Sequence, residues 1–462
     1  MLSQALIEDV LTAALETGGD FADVFVEDKT INTISMIGGS VDSALSGRDF
    51  GIGIRVISGL FAVYAYTNDF RRDNLLKVAR QAAQAIRGTK RDLTLDLRRS
   101  ILQPAHPILI LPESVSKAKK IEYMRRAHEA AKAYDPVISQ TSISYKDEDQ
   151  KVLIANSDGL FVEDRRTRHR MYMEAVATVG NEKSMGSSAP GAHRGFEFME
   201  NLNIEDHARL AAHTAKTMVN AEFAPSGKMP VIIDNEFGGV IFHEACGHGL
   251  ESTSVAKKVS VFSDKVGELV ASPLVTAIDD GTIPNAWGSS TIDDEGTPTQ
   301  RNLLIENGIL KGYLIDKLGA KRMGTESTGS ARRESYKFAP ASRMNNTYIA
   351  AGSTPPEEII ANTEYALYAK YLGGGSVNTA TGDFNFVVKE GYIVKNGKIE
   401  KPVRGATLIG KGIDVLQKID MVGSNLGFGQ GMCGSISGSI PADVGQPMIR
   451  VSELTVGGRK GE

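Results

Sequence analysis

The stretch Phe242-His243-Glu244-Ala245-Cys246-Gly247-His248-Gly249-Leu250-Glu251 places two imidazoles five positions apart, with a carboxylate directly after the first. Neutral imidazoles bind a divalent ion, and a neighbouring carboxylate takes a proton from water bound to it, so this is the raw material of a metallohydrolase. In the common His-Glu-x-x-His pattern the histidines share one helical face at i and i+4. The i, i+5 spacing here sets them about 140° apart on an ideal helix, so both reach one ion only where the helix widens or breaks before His248. Gly247 and Gly249 flank that histidine and make such a distortion cheap. The competing reading is a buried helix with two hydrogen-bonded histidines and a surface glutamate.

A catalytic zinc site takes three protein ligands and keeps one position open. Six of the eight histidines (His106, His128, His169, His193, His207 and His213) lie before residue 225 without a partner at ligand spacing, and each reads as a surface or satisfied histidine. Cys433 lies in the glycine-rich run Gly427-Phe428-Gly429-Gln430-Gly431-Met432-Cys433-Gly434. A thiolate there, beside a cation, is a strong ligand; alternatively the residue simply fills a turn. The Gly-x-Gly pattern of this run lacks the strand-to-helix context of a dinucleotide site. Cys246 reads as a packed helix position, and Glu251 as a further carboxylate that either binds the ion or supports a ligand.

These residues need elements to hold them. Met229 to Ile233 is strand-like, and Asp234-Asn235 is a good N-cap pair, so the motif reads as strand, tight turn and helix, with His243 about two turns into the helix. Upstream, residues 2 to 16 read as an amphipathic helix. Four strands follow at Ala22 to Glu27, Asn32 to Ile37, Gly51 to Ile57 and Leu60 to Tyr66, then a helix from Asn68-Asp69 to Gly88. Residues 89 to 113 read as a linker. A helix over 115–134, strands at 138–145, 151–156, 160–166 and 168–180, and a helix over 204–220 make a second unit of the same order, and Asn156-Ser157-Asp158-Gly159 is a clear turn. Ala224 to Lys228 is the next boundary. Beyond it the chain reads as largely β, with one long helical pattern at Pro355 to Tyr371 and hairpin signals at Asn307-Gly308 and Asn396-Gly397. The fold class is α+β: an N-terminal region of antiparallel sheets covered by helices, in modules 1–90 and 91–225, and a strand-rich C-terminal domain, 226–462, carrying the metal-binding helix.

Composition bounds the function. A chain of 462 residues exceeds one ordinary core, and 41% hydrophobic with 23% charged residues is that of a globular protein. The net charge of −4 leaves no basic footprint for nucleic acid, and 6% aromatic residues with one tryptophan offer few stacking platforms for single strands. Two cysteines make no disulfide framework, which favours a reducing compartment. The first residues carry Glu8 and Asp9 and do not read as a signal peptide, and no apolar run approaches the ~20 residues of a membrane span. A cytoplasmic protein without membrane or nucleic-acid partners is expected.

The sequence is similar to the TldD/PmbA family. The match runs through His243-Glu244-x-x-x-His248-Gly249-Leu250-Glu251, Asp293-Asp294-Glu295-Gly296-Thr297-Pro298, Leu304 to Leu314, Arg332-Arg333-Glu334-Ser335-Tyr336, Arg343-Met344-Asn345-Asn346-Thr347-Tyr348, Gly373 to Val377, Lys401 to Gly410, Met432-Cys433-Gly434 and Leu454 to Gly458. It is ordered over residues 229 to 458, and the N-terminal half resembles the family in layout more than in motif. The resemblance implies a metalloprotease acting on unfolded or flexible peptides, which it binds as an added strand. It implies that His243, His248 and Cys433 hold one divalent ion, zinc or iron, with Glu244 as the proton acceptor and Arg343 and Tyr348 as candidates for steadying the oxyanion or the peptide. It further implies a dimer, either with a related TldE/PmbA-type subunit that lacks these residues or of two identical chains; this chain resembles the catalytic TldD type. The rival classes are a non-catalytic metal-containing partner subunit or peptide-binding chaperone, and a cysteine peptidase using Cys433.

Overall fold

The computed structural model describes residues 1–86, 95–103, 105–378 and 381–458. The end of the helix expected at Gly88, and part of the linker, lie outside them. The N-terminal region is built on one eight-stranded sheet whose order runs Phe61–Thr67, Ser40–Ser58, Phe21–Ile37, Ile138–Asn156, Leu160–Val179 and Arg98–Ser100, with two short strands paired to Leu160–Val179. The strands of the two expected modules therefore join in a single sheet, through antiparallel pairing from Asp23 opposite Asn156 to Ile37 opposite Ser142.

These strands are longer than expected. Phe21–Ile37 is continuous where a break was read at Asp28 to Ile31, and Ser46-Gly47 lies inside Ser40–Ser58 rather than in a turn. Likewise Ile138–Asn156 and Leu160–Val179 each merge two expected strands. The cause is that polar residues are buried in pairs mid-strand. Gln150 donates to Glu27 at 2.8 Å, and Asn32 donates to Asp147 at 2.7 Å, so hydrophilic stretches continue the ladder instead of ending it. Helices Gln4–Ala14 and Arg72–Gln84 pack Ile7, Val10, Leu75 and Ala79 onto Val24, Val26, Ile52 and Ile54. Lys117–Lys132 and Ile204–Val219 cover the other half of the sheet through Met124, Ala127, Ala208 and Ala212 against Ile34, Tyr145 and Met171.

Beyond residue 225 a second sheet orders Tyr365–Val377, Gly227–Ile233, Ile449–Gly457, Thr407–Lys411 and Asp383–Lys395, and pairing of the first with the last closes these five into a ring. Here the helix expected over Pro355 to Tyr371 shrinks to Pro356–Ala361, because Tyr365–Val377 is claimed by its two strand neighbours. A third sheet runs Ile309–Leu310, Arg301–Glu306, Ala277–Asp280, Asn346–Ile349, Gly438–Gln446 and Gly427–Ser435. Both Asn-Gly turns form, with φ of 49° and 81° at Asn307 and Gly308 and 49° and 74° at Asn396 and Gly397, the conformation a two-residue hairpin requires. The two halves of the chain are locked by buried ion pairs, including Arg55 between Asp23 and Glu295. Among the described residues no helix is long and apolar enough to cross a membrane.

Candidate metal centre

Strand Gly227–Ile233 leads into a 3-10 turn, Glu236–Gly239, and then the short helix Val240–Ala245. The turn is not capped by the expected Asp234-Asn235 side chains: Asn235 donates to the Asn425 carbonyl at 2.9 Å, and Asp234 accepts from Tyr368. The helix is sunk in the C-terminal core through Ile241, Phe242 and Ala245. It ends at Cys246, whose φ of −131° and ψ of −45° leave the helical region, and Gly247–Leu250 continues as a 3-10 turn. The break thus falls before His248, as the spacing requires. Its cause differs from the expectation. Neither Gly247 nor Gly249 adopts a positive φ. Glycine is needed at 247 for space, since a Cβ there would stand 2.1 Å from Met344 Sδ.

The break turns both rings toward Cys433. His243 Nε2 lies 3.2 Å and His248 Nε2 3.3 Å from its Sγ, with the imidazole planes at 85° and their centres 5.2 Å apart. One ligand atom from each of the three residues falls within a 4.8 Å cluster. With bonds of about 2.0 Å to nitrogen and 2.3 Å to sulfur, a tetrahedral ion spaces such atoms by about 3.5 Å, so this donor set fits zinc or a similar divalent ion. All three residues are buried, at 3%, 9% and 5% exposure.

The three groups also polarise one another. Burial alone would push the Cys433 thiol up, but the charge and hydrogen bond of His243 and the hydrogen bond of His248 outweigh it and hold the thiol at about 3. Burial likewise opposes a charged His248, yet Glu251 and Cys433 raise it well above the usual imidazole value. Glu251 Oε1 sits 3.2 Å from His248 Nδ1 and fixes which nitrogen faces the cluster. Of its two expected roles, the supporting one is the one the geometry fits. Cys246 is fully buried, and burial raises its thiol, as a packed position should.

Glu244 follows His243 on the helix, with Oε2 3.8 Å from His248 Nε2 and a side chain 24% exposed, so one carboxylate reaches from solvent to the cluster. Cys433 comes from an edge strand. Gly427–Ser435 pairs with Gly438–Gln446 on one side, and among the described residues no strand covers the other. Arg343 is fully buried; its guanidinium donates to the Cys433 carbonyl, to Ser437 Oγ at 3.0 Å and to the Gly438 carbonyl at 2.9 Å. Arg343, a candidate for steadying the oxyanion or the peptide, is thus placed behind the hairpin, where its hydrogen bonds hold the Cys433 strand. Tyr348, 9% exposed, packs edge-on against Phe428 of the edge strand, with ring centres 5.2 Å apart. Trp287 and Arg170 were missed by sequence reasoning. Trp287 Nε1 donates to the Gly431 carbonyl and Arg170 to the Gln430 carbonyl, each at 2.7 Å, and no local pattern signals such long-range props.

Comparison with known proteins gives a consistent picture. Family models described as PmbA/TldA metallopeptidase domain 1, central domain and C-terminal domain match residues 22–86, 110–219 and 226–458. The "Metalloprotease TldD homolog" of Haemophilus influenzae is 39% identical over 95% of this chain and 93% of its own. The protein of the same name from Buchnera aphidicola subsp. Acyrthosiphon pisum is 37% identical over 89% and 87%. A more distant relative, the "Zinc metalloprotease TldD homolog" of Saccharolobus solfataricus, is 26% identical over 96% and 98%. In fold, the chain is similar to the crystal structure of TldE from Thermococcus kodakarensis, with a TM-score of 0.78, 20% identity, and 98% and 99% coverage.

Proposed function

The chain belongs to the TldD/PmbA family, and we propose that it is a metal-dependent peptidase acting on unfolded or flexible peptides, with its ion held by His243, His248 and Cys433. The observation that carries this reading is the convergence of two imidazole nitrogens on one buried thiolate, with a partly exposed carboxylate beside them. A divalent ion bound there, zinc as in the name of the Saccharolobus relative or iron, supplies polarisation of the scissile carbonyl and an acidified water.

The chain's residues do the rest. Glu244 accepts the water proton and passes it to the leaving amine, a task that needs a carboxylate open to solvent on one side. Glu251 holds the His248 ring in the tautomer that presents Nε2. Arg343 fixes the Cys433 backbone and so acts as a positioning residue. The edge of Gly427–Ser435 that no strand among the described residues pairs with supports recognition of an extended peptide as an added strand, with Tyr348 steadying it through Phe428. That mode reads backbone rather than sequence and suits unfolded chains.

We take 1–90, 91–225 and 226–462 as the units of the chain, a division supported by family models falling within each. Pairing with a TldE-type subunit, or with a second copy, is supported by the shared fold with TldE. The test is Glu244→Gln. We expect elemental analysis to find the metal retained while cleavage of an unfolded peptide, with and without the related subunit, drops by orders of magnitude; normal turnover would remove Glu244 from the mechanism.

A further inference from the structure

A chamber of about 260 Å³ lies between the N-terminal sheet and the hairpin that carries Cys433, and its lining is unusually charged. Six cationic side chains face it against four acidic ones. Much of this charge is already spent. Arg166 pairs with Asp294 and Asp164, Lys29 with Glu27 at 3.0 Å, and Lys146 with Glu148 at 3.4 Å. Asp293 accepts from the backbone N–H groups of Glu295, Thr297 and Ala331.

Among the described residues, three guanidinium groups of the lining have no close carboxylate partner, and one of them, Arg333, is occupied elsewhere: it donates to the Asp294 carbonyl at 2.9 Å and to Tyr64 Oη at 3.1 Å and lies over the Phe25 ring. Arg332 is 6% exposed and makes one hydrogen bond, from Nη1 to the Met344 carbonyl at 2.7 Å; among the described residues no carboxylate pairs with it. Arg168, 4% exposed, donates to the carbonyls of Trp287 and Ser289, and its nearest carboxylate is Glu148 at 3.9 Å. Buried cations are costly without a counter-charge, and planar guanidinium forks fit carboxylate and phosphate oxygens.

We propose that this chamber is a binding site for a small oxyanion, a carboxylate or phosphate, held between Arg168 and Arg332. Burial, followed by the repulsion of Arg168, lowers the Arg332 guanidinium, and Asp294 only partly opposes this; an anion between the two arginines would add to that opposition. The wall on the metal side is Ile440, which stands opposite Cys433 in the hairpin and also lines the chamber. Met432, Ser439 and Pro441 line the chamber from the face of the hairpin opposite Cys433, so an occupant sits across that hairpin from the metal centre. The anion has two sources: free phosphate, or the terminal carboxylate of a bound peptide. The second source rests on the peptidase reading.

Isothermal titration calorimetry of the full chain tests this, with inorganic phosphate as one probe and N-acetyl-dialanine, as free acid and as amide, as the other. Saturable binding is expected, weakened about tenfold or more in Arg332→Gln, as loss of a charged hydrogen bond implies. Lys146→Glu reverses a charge at the half-exposed rim without entering the core, and it should weaken binding several-fold. Binding of the acid but not the amide assigns the peptide carboxylate; binding of phosphate alone assigns a free anion. Absence of binding by every probe, or equal binding by the wild type and both variants, overturns the proposal. Because calorimetry needs no turnover, anion binding that survives in a protein without peptidase activity would sink the peptidase reading and leave the chamber standing.

Discussion

Cys246 and Cys433 are both buried, yet their surroundings give them opposite chemistry. Cys246, at the end of the helix, is enclosed by apolar core, and burial alone keeps its thiol protonated. Cys433 is as enclosed, but two imidazoles face its sulfur and hold it as a thiolate. Enclosure therefore does not make a cysteine a ligand or an inert filler; the charged partners within hydrogen-bond reach decide. The contrast also separates two duties in the motif. The helix and the 3-10 turn after it place the candidate chemistry at 243, 244 and 248, and packing at 242, 245 and 246.

The sharpest way to break the comparison is to remove each thiol in turn. Cys433→Ala should empty the metal from the purified protein and abolish peptide cleavage, while Cys246→Ala should keep both; elemental analysis and a cleavage assay read the pair. Retention of metal by Cys433→Ala would end the three-ligand assignment. Next in size is Glu251→Gln, which should weaken metal binding by ~10- to 100-fold in a competition titration while leaving the ligands in place. In the metal-stripped Cys246→Ala protein the ultraviolet thiolate absorbance of Cys433 should persist as pH falls and vanish only near about 3. The sign follows from the depressed value: the folded protein keeps the thiolate at any pH above the folded value, and the stability this contributes is full above the ordinary thiol range and is lost as pH falls through the folded value. A thiolate signal that disappears near pH 8 would mean the imidazoles do not govern this sulfur. The smallest expected effect is Gly247→Ala, whose methyl must displace Met344; a cost of about 1–3 kcal/mol in denaturant unfolding is expected.

The candidate site was largely legible because its pattern is local. The two histidines, the glutamate and the need for a helix break can be read from spacing, and the Asn-Gly hairpins from turn chemistry alone. Cys433 needed the resemblance, since nothing local distinguishes a ligand thiol from one filling a turn. The lengths of the N-terminal strands were illegible because Gln150, Glu27, Asn32 and Asp147 satisfy one another across strands, and only the pairing reveals that these polar stretches are interior. Tyr365–Val377 carries a helical pattern that two strand neighbours override. The burial of Arg343 against the Cys433 carbonyl was illegible for a related reason, since only the folded hairpin brings the two together.

The separation of the ligands also sets an order of biosynthesis. His243 and Cys433 are 190 positions apart, and the strand that leads into the helix, Gly227–Ile233, takes Ile449–Gly457 as its antiparallel neighbour. At ~5–20 residues per second, the ribosome releases the helix roughly 10 to 40 s before the sulfur. During that interval the nascent chain carries two imidazoles and a carboxylate but no third donor and no edge strand. The candidate metal centre is thereby withheld while the chain is itself an unfolded polypeptide, and is assembled only when its own late strands have been consumed by folding.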